Sequence, residues 1–243
     1  MQNEISIIGF GNFGKFISTY LSYFFKIYVY DNNISDFHID NNIFFTTLEE
    51  CVKKDIIILA IPVQFIENTL LKIQNIINKN ALVIDVCSVK IKPIELMKKY
   101  LPETIEIIGT HPLFGPQSAK NGIEGLNIVL SDVRGTKFEC VKSFIEKNLK
   151  LNVYIKTPEE HDKEMAMVQA LTHFVGRGLT RFGVKDSILK TKSFDCLLGV
   201  YNILHYETDE LFYTIQKENP FAKEIRKKFL NILIDIDKDL DNI

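Results

Sequence analysis

Short apolar runs alternate with longer segments of helical periodicity from the N-terminus to about residue 156. The run "DIIILAIP" is almost continuously apolar, as expected for a strand buried on both faces of a sheet. Intervening segments such as "GKFISTYLSYF" have apolar residues at helical spacing. The alternation predicts an α/β fold, with a doubly wound, mostly parallel, Rossmann-like sheet that has helices on both faces. The predicted strands are "EISIIGF", "KIYVYD", "NIFF", "DIIILAIP", "ALVIDVCS", "IEIIGTHP", "LNIVLSD" and "LNVYIK".

The strand pattern ends near Thr157. Pro158 and the acidic residues after it are typical of a helix start, and the sequence remains helical almost to the C-terminus. We therefore predict two domains, residues 1–156 with the sheet and residues 157–243 with helices only.

Composition argues against several kinds of partner and site. The 243 residues include 29 basic and 31 acidic ones, a balance that provides no positive field for nucleic acid or an anionic membrane. No apolar run approaches the roughly 20 residues of a membrane helix, and no signal peptide is visible, so a cytoplasmic location is expected. The four cysteines are scattered without a CxxC pair, which favours reduced thiols over zinc.

A glycine-rich turn follows the first predicted strand. Gly9, Gly11 and Gly14 have GxGxxG spacing between a strand and a helix, which is the context in which this motif binds a dinucleotide. The first glycine permits the tight turn, the second the approach of a pyrophosphate, and the third close packing of helix on sheet. Asn12 and Phe13 complete the predicted phosphate site, where helix N–H groups favour anions. A glycine-rich turn without a ligand is the alternative.

The second predicted strand ends in Asp31. A carboxylate there can accept hydrogen bonds from an adenosine ribose and would repel a 2′-phosphate, which favours NAD over NADP. An aspartate that only forms a turn before Asn32 and Asn33 is the alternative. Ile61 and Pro62, which follow the fourth strand, are predicted to form an apolar wall of the cofactor site.

Polar residues follow two further strands, at the edge where ligands of such sheets bind. "DVCSVK" provides Ser88 and Lys90, and "GTHP" provides Thr110 and His111. No HxH or HxxxH spacing accompanies His111, which argues against a metal site. Because histidine ordinarily titrates near neutral pH, His111 is suited to proton transfer. A structural, hydrogen-bonded histidine is the alternative.

The segment "HDKEMAMVQALTHFVGRGLTRF" is predicted to be one helix with a stripe of polar and small residues. The stripe is either a solvated face or, as we favour, the wall of a cleft. In that cleft Arg177 is suited to a bidentate contact with a carboxylate. Arg181 and Lys192 are weaker candidates of the same kind. The stripe consists of Gln169, Thr172, His173, Gly176 and Arg177. The residues expected to face a core are Met165, Val168, Leu171, Val175 and Leu179.

Five motifs in this order resemble the prephenate/arogenate dehydrogenases of tyrosine biosynthesis, over nearly the whole chain. They are "IGFGNFGKF", "DVCSVK", "GTHPLFGPQSAKNG", "HDKEMAMVQALTHFVGR" and "TKSFDCLLGVYNI". The third motif, with the later "TKSF", is most similar to the arogenate dehydrogenases of plants. The resemblance implies an N-terminal dinucleotide-binding domain and a C-terminal helical domain that forms a homodimer.

The same resemblance implies the chemistry of the site. His111 would take the proton of the ring 4-hydroxyl, Ser88 would bond near that hydroxyl and the nicotinamide, and His173 would contact the substrate. Gln169, Arg177 and Thr110 are the further predicted substrate-binding residues. The implied reaction is the NAD(P)-dependent oxidative decarboxylation of arogenate to tyrosine.

Three alternatives remain open from the sequence. The first is a prephenate (cyclohexadienyl) dehydrogenase that makes 4-hydroxyphenylpyruvate. Cys196, near the position where prephenate-specific relatives carry an arginine, argues against it. The second is a catalytically silent dinucleotide-binding sensor, and the third is another dehydrogenase of similar architecture that acts on hydroxyacids or pyrroline carboxylate.

Overall fold

An eight-stranded sheet organises the N-terminal part of the chain in the computed structural model, which describes residues 4–33 and 42–242. The strands are β1 Glu4–Ile8, β2 Lys26–Tyr30, β3 Ile43–Phe45, β4 Ile56–Leu59, β5 Leu82–Asp85, β6 Glu106–Pro112, β7 Asn127–Arg134 and β8 Asn152–Ile155. Their order in the sheet is β3-β2-β1-β4-β5-β6-β7-β8, and only the β6–β7 pair is antiparallel. The predicted Rossmann-like, mostly parallel sheet is therefore confirmed, with a strand at each of the eight predicted runs.

Helices cover both faces of this sheet because its strands are apolar on both sides. The helices are α1 Asn12–Leu21, α2 Leu48–Cys51, α3 Val63–Ile73, α4 Ile91–Tyr100 and α5 Phe138–Lys147. The adjacent residues Ile58 and Ile57 belong to different apolar clusters: Ile58 to one with side chains of α1 and α5, and Ile57 to one with side chains of α2, α3 and α4.

The direction of β7 follows from the connection that precedes it. Between Pro112 and Asn127 the chain forms turns, bends and irregular stretches without a helix. A parallel return would need a crossover, usually a helix, so the chain folds back and pairs antiparallel to β6. His111 is opposite Val129 in this register.

The chain divides into two compact units, Met1–Glu159 and Glu160–Ile243, near the boundary predicted between residues 156 and 157. The described part of the second unit is helical. Its first helix, α6 Pro158–Met165, begins in the N-terminal unit. The elements that follow are a π-helical segment Ala166–Leu171, α7 Thr172–Phe182, α8 Lys192–Leu204, α9 Asp209–Tyr213, a π-helical segment Thr214–Glu218 and α10 Ala222–Asp241. None of the helices in residues 4–33 and 42–242 combines the length and apolar character needed to cross a membrane.

The π-helical segment Ala166–Leu171 changes the face that part of α6 and α7 presents. The sequence predicted one regular helix with Val168 toward a core, and this was wrong, since Val168 is 56% exposed. A π turn adds a residue to the helical repeat, so positions on either side of it no longer share one stripe. Met165, before the segment, is buried as predicted, whereas Leu171, Val175 and Leu179 are half-buried.

Candidate active site

The carboxyl ends of the parallel strands meet at one edge of the sheet, and the predicted cofactor and proton-transfer residues lie at or just after those ends. The crevice of such a sheet lies where the strand order reverses, here between β1 and β4. The residues along this edge are Gly9–Gly14, Asp31, Ile61, Pro62, Ser88, Thr110 and His111.

The three glycines of the turn after β1 differ in what they permit. Gly9 has φ +103°, and a Cβ there would lie 2.5 Å from the carbonyl oxygen of Ala60. A Cβ on Gly14 would lie 2.2 Å from the carbonyl oxygen of Gly9. A Cβ on Gly11 would meet no described atom within 4 Å. The first and third glycines are thus required by the fold, and Gly11 leaves open space beside the start of α1.

The N-terminus of α1 lies at this space. Gly11 caps the helix without a side-chain hydrogen bond from any described residue, so the first N–H groups are suited to bind an anion. Asn12 is exposed, whereas Phe13 is half-buried and its ring lies 6.0 Å from that of Phe16. Asn12 and the backbone are therefore better placed to meet a ligand than the Phe13 ring.

Both oxygens of Asp31 accept hydrogen bonds from the backbone. Oδ2 accepts from the N–H of Phe10 at 2.6 Å, and Oδ1 accepts from the N–H of Asn33 at 2.8 Å. The carboxylate thus forms the turn that the sequence offered as the alternative and also joins that turn to the glycine-rich loop. Each carboxylate oxygen can accept a second hydrogen bond, so contact with a ribose remains compatible with this arrangement.

Ile61 and Pro62 are half-buried between β4 and α3, as an apolar wall requires. The Cγ2 atom of Ile61 would lie 2.7 Å from a Cβ on Gly9. The carbonyl oxygen of Ile61 accepts a hydrogen bond from Sγ of Cys87 at 3.7 Å, which connects the ends of β4 and β5.

Asp85 organises the loop that carries Ser88. Its Oδ2 atom accepts from the N–H of Cys87 at 3.0 Å and also pairs with Nζ of Lys90, and neither side chain of this ion pair is exposed. Burial raises the pKa of Asp85, and the Lys90 ammonium opposes that shift. Lys90 follows the end of β5 as predicted, but it is buried against Asp85, whereas Ser88 is half-buried.

Thr110 and His111 are adjacent at the end of β6, and their side chains therefore point to opposite faces of the sheet. Thr110 Oγ1 donates to the carbonyl oxygen of Asp85 at 2.7 Å. The hydroxyl proton of Thr110 is thus used to join β6 to β5, and its predicted contact with substrate stays a prediction. His111 is 3% exposed, so its imidazole is shielded from bulk water.

The predicted substrate residues of the helical unit already have partners from their own chain. His173 Nδ1 contacts Oε1 of Glu207, and Arg177 pairs with Asp209 and Glu207. The guanidinium carbon of Arg177 also lies 4.4 Å from the centre of the Phe212 ring.

Other members of the predicted stripe are placed differently. Oε1 of Gln169 is buried without a hydrogen-bond partner among the described residues. Gly176 is buried, and a Cβ there would lie 2.5 Å from Cδ1 of Leu204. Thr172 is exposed and its hydroxyl donates to the carbonyl oxygen of Val168 at 2.7 Å. Arg181 and Lys192 are exposed.

Sequence reasoning missed two carboxylates, Asp85 and Glu207. An aspartate inside an apolar strand with a lysine five positions later was a usable signal for the first. Glu207 is 34 positions from His173, and no local pattern connects them. Within the described ranges, no group of three or more His, Cys, Asp or Glu side chains is placed to hold a metal ion.

Comparison with known proteins identifies the family. Residues 24–151, more than half of the chain, match the family model described as the nucleotide-binding domain of prephenate dehydrogenase. Arogenate dehydrogenase 2, chloroplastic, of Arabidopsis thaliana is 31% identical over 233 residues, which are 91% of this chain and 65% of that protein. Arogenate dehydrogenase 1, chloroplastic, of the same plant is 30% identical over 93% of this chain and 37% of that protein. The chain thus spans less than two thirds of the length of either relative.

Solved structures show the same fold. Prephenate dehydrogenase from A. aeolicus, in complex with hydroxyphenyl propionate and NAD+, has a TM-score of 0.74 at 21% identity, over 100% of this chain and 92% of that one. Synechocystis arogenate dehydrogenase has a TM-score of 0.66 at 20% identity, over 98% of this chain and 93% of that one. The fold, the carboxyl edge of the sheet and the match over residues 24–151 lead to one conclusion: this chain belongs to the prephenate dehydrogenase family, and its first unit contains the family's nucleotide-binding domain.

Proposed function

We propose that this chain catalyses the NAD(P)-dependent oxidative decarboxylation of arogenate to tyrosine. The observation that carries the proposal is the position of His111, a buried imidazole at the same sheet edge as the glycine-rich turn. The names of the two Arabidopsis relatives favour arogenate, as does Cys196, an uncharged residue near the position where prephenate-specific relatives carry an arginine. Prephenate is the alternative substrate.

In the proposed reaction, His111 is the proton acceptor. Its imidazole would take the proton of the ring 4-hydroxyl. A bound NAD would supply the acceptor for the hydride that leaves the ring carbon bearing that hydroxyl. The ring carboxylate leaves as carbon dioxide, its electron pair aromatises the ring, and the resulting phenolate recovers the proton from His111. Atoms and charges balance without any further reactant. The low exposure of His111 limits exchange of this proton with water.

Ser88 has the second role in this proposal. The Asp85 carboxylate and the Thr110–Asp85 hydrogen bond hold the loop of Ser88 and the end of β6 in fixed register. Ser88 would then hydrogen-bond near the reacting hydroxyl, and such prior orientation can contribute about 7–11 kcal/mol to lowering a barrier.

His111→Asn tests the mechanism. We expect a fall in kcat of about a hundred-fold to ten-thousand-fold, since a positioned base contributes that much. NAD should raise the thermal stability of the variant and of wild type equally, because His111 is not among the proposed phosphate contacts. Near-normal turnover of His111→Asn would rule out His111 as the base.

Substrate and cofactor preference need a separate experiment. The values of kcat/KM for arogenate and prephenate, each with NAD and with NADP, form a two-by-two comparison. The proposal expects the highest value for arogenate with NAD, because Asp31 would repel a 2′-phosphate. A chain that binds NAD but turns over neither substrate would be a dinucleotide-binding sensor, and activity only on hydroxyacids or pyrroline carboxylate would indicate another dehydrogenase.

We also propose that the functional form is a homodimer that buries α10. Leu233, Ile236 and Leu240 are spaced three and four residues apart on this helix and are 45%, 51% and 67% exposed. A seam of this spacing is typical of helix pairing. Sedimentation should therefore give the mass of a dimer, and Leu233→Asp with Ile236→Asp should give a monomer. A monomeric wild type would contradict this part of the proposal.

A cytoplasmic location is the last part of the proposal. The word chloroplastic in the names of the two Arabidopsis proteins concerns those proteins. Cell fractionation with an antibody against this chain tests the location directly.

A further inference from the structure

We propose that Glu207 is a positioning residue for His173, and that Arg177 holds Glu207 in place rather than binding a substrate carboxylate. The inference rests on the proposed function in one respect, namely that His173 faces the substrate. The contacts that carry it all lie within the helical unit.

The Glu207–His173 contact selects one form of the imidazole. Oε1 of Glu207 meets Nδ1 of His173, and a carboxylate can only accept a hydrogen bond. The proton of the neutral ring must therefore be on Nδ1, which leaves Nε2 as an acceptor. His173 is 15% exposed in its side chain, so it can present Nε2 to a substrate hydroxyl or ammonium group.

The Glu207 carboxylate needs a counter-charge because its side chain is only 3% exposed. Its Oε2 atom has no hydrogen-bond partner within the described residues and lies 3.7 Å from Nη2 of Arg177. Arg177 thus places a positive charge beside one oxygen of the Glu207 carboxylate, while the other oxygen contacts His173.

Arg177 is itself fixed from several directions. Its Nη1 atom pairs with Asp209, Nη2 donates to the carbonyl oxygen of Glu207 at 3.4 Å, and the guanidinium stacks on Phe212. These contacts use an N–H group on each Nη atom and one face of the guanidinium, so a substrate carboxylate would compete with Asp209 and Glu207 for the two Nη atoms. Arg177 therefore acts on His173 indirectly, through its contacts with Glu207.

The backbone around Glu207 is also held in place. Glu207 lies between α8 and α9, and Thr208 caps α9 by accepting from the N–H of Leu211 at 3.2 Å. Leu204, the last residue of α8, packs directly on Gly176 of α7, the helix that carries His173. The distance between the carboxylate and the imidazole is thus set by two packed helices.

The first test observes the imidazole and does not depend on activity. The full chain is labelled with 15N in histidine, and His173→Gln assigns the His173 signals, which are recorded above pH 8. We expect the Nδ1-protonated form in wild type and a change of both nitrogen shifts in Glu207→Gln. Glu224→Gln, which removes an exposed carboxylate from α10, should leave the spectrum unchanged. His173 shifts that are unaffected by Glu207→Gln would overturn the proposal.

The second test is a double-mutant cycle on KM for arogenate. Glu207→Gln should raise KM about ten-fold to a hundred-fold, the value of a hydrogen bond to a charged group, and should change kcat less. In a His173→Gln background the same substitution should have little effect, because its target is gone. Independent, additive effects would overturn the proposal.

Two further outcomes are distinguishable. If Glu207→Gln does not fold, Glu207→Asp, which keeps the charge and withdraws it by one methylene, should change the His173 shifts in the same way. If wild type turns over neither arogenate nor prephenate, the proposed function fails, whereas the nitrogen shifts still decide whether Glu207 orients His173.

Discussion

Asp85 and Lys90 form an ion pair in which neither side chain is exposed. Asp85 is the last residue of β5, and Lys90 directly precedes α4. The ion pair therefore joins the two ends of the loop that contains Ser88. A buried pair of this kind fixes geometry more than it adds stability, because desolvation offsets most of the attraction. Its cost becomes visible when one partner is removed.

Lys90→Met should destabilise the protein by about 3–5 kcal/mol, because the Asp85 carboxylate would remain buried without its counter-charge. The double variant Asp85→Asn with Lys90→Met should recover most of that loss, and urea unfolding followed by circular dichroism measures both. Lys53→Met, which breaks the exposed pair with Glu50, is the control and should have no measurable effect. Equal stability of Lys90→Met and wild type would contradict the importance of the pair.

The glycine-rich turn gives a second prediction, because substitution of Gly14 should affect the stability of the fold and substitution of Gly11 should affect the binding of NAD. Gly14→Ala should lower the melting temperature without ligand, because its Cβ would lie 2.2 Å from the carbonyl oxygen of Gly9. Gly11→Ala should melt as wild type does and should lose much of the stabilisation by NAD, because its Cβ would enter the space assigned to the pyrophosphate. Thermal melts with and without NAD measure both effects, and full NAD stabilisation of Gly11→Ala would argue against this pyrophosphate position.

Most of the fold could be predicted because its signals are local. Apolar runs with β-branched residues identified the eight strands, and Pro158 identified the start of α6. The direction of β7 depends instead on the connection between Pro112 and Asn127 having no helix. The π-helical turn that exposes Val168 breaks helical periodicity, so periodicity could not predict it.

The site was predictable only in part, for a similar reason. Motif spacing predicted that Gly9, Ser88 and His111 lie at one edge of the sheet, and the structure has them at or just after the carboxyl ends of β1, β5 and β6. Partners at long sequence separation were not identifiable, as the Glu207–His173 contact illustrates. The sequence also did not show which polar side chains are buried. Lys90 follows the end of β5 as expected, but its side chain is enclosed with that of Asp85.

Glu106 provides a pH-dependent prediction. Desolvation alone would raise its pKa, but hydrogen bonds from Lys137 and Thr136 outweigh it and hold the pKa below the usual value. A group with a depressed pKa stabilises the folded state above its unfolded pKa and loses that effect as the pH falls through its folded pKa. Glu106→Gln should thus cost about 1–3 kcal/mol at pH 7, and less as the pH falls below about 4.

Urea unfolding of wild type and Glu106→Gln, at pH 7 and again below about pH 4, measures this difference. Glu103→Gln is the matched control, since the Glu103 side chain is 88% exposed beside Arg134. A penalty for Glu106→Gln that is the same at both pH values would mean that packing, and not the ionised carboxylate, makes the contribution.

Gly176 and Gly178 are two glycines of one helix with opposite surroundings. A Cβ on Gly176 would lie 2.5 Å from Cδ1 and 3.0 Å from Cβ of Leu204, whereas a Cβ on Gly178 would meet no described atom within 4 Å. Gly176→Ala should therefore destabilise the protein by about 1–3 kcal/mol through overpacking. Gly178→Ala should stabilise it by about 0.5–1 kcal/mol, because alanine loses less backbone entropy in a helix.

The Gly176 effect should also depend on Leu204. In a Leu204→Ala background the Gly176→Ala penalty should shrink, since Cδ1, the atom nearest the new methyl group, is removed together with Cγ, while Cβ stays. Urea unfolding of the four variants measures the coupling. The His173 nitrogen shifts should change in Gly176→Ala and stay unchanged in Gly178→Ala, because only the first substitution moves α7 against the helix that leads to Glu207. A destabilised Gly176→Ala with unchanged His173 shifts would mean that the helix contact supports the unit without setting the Glu207–His173 geometry.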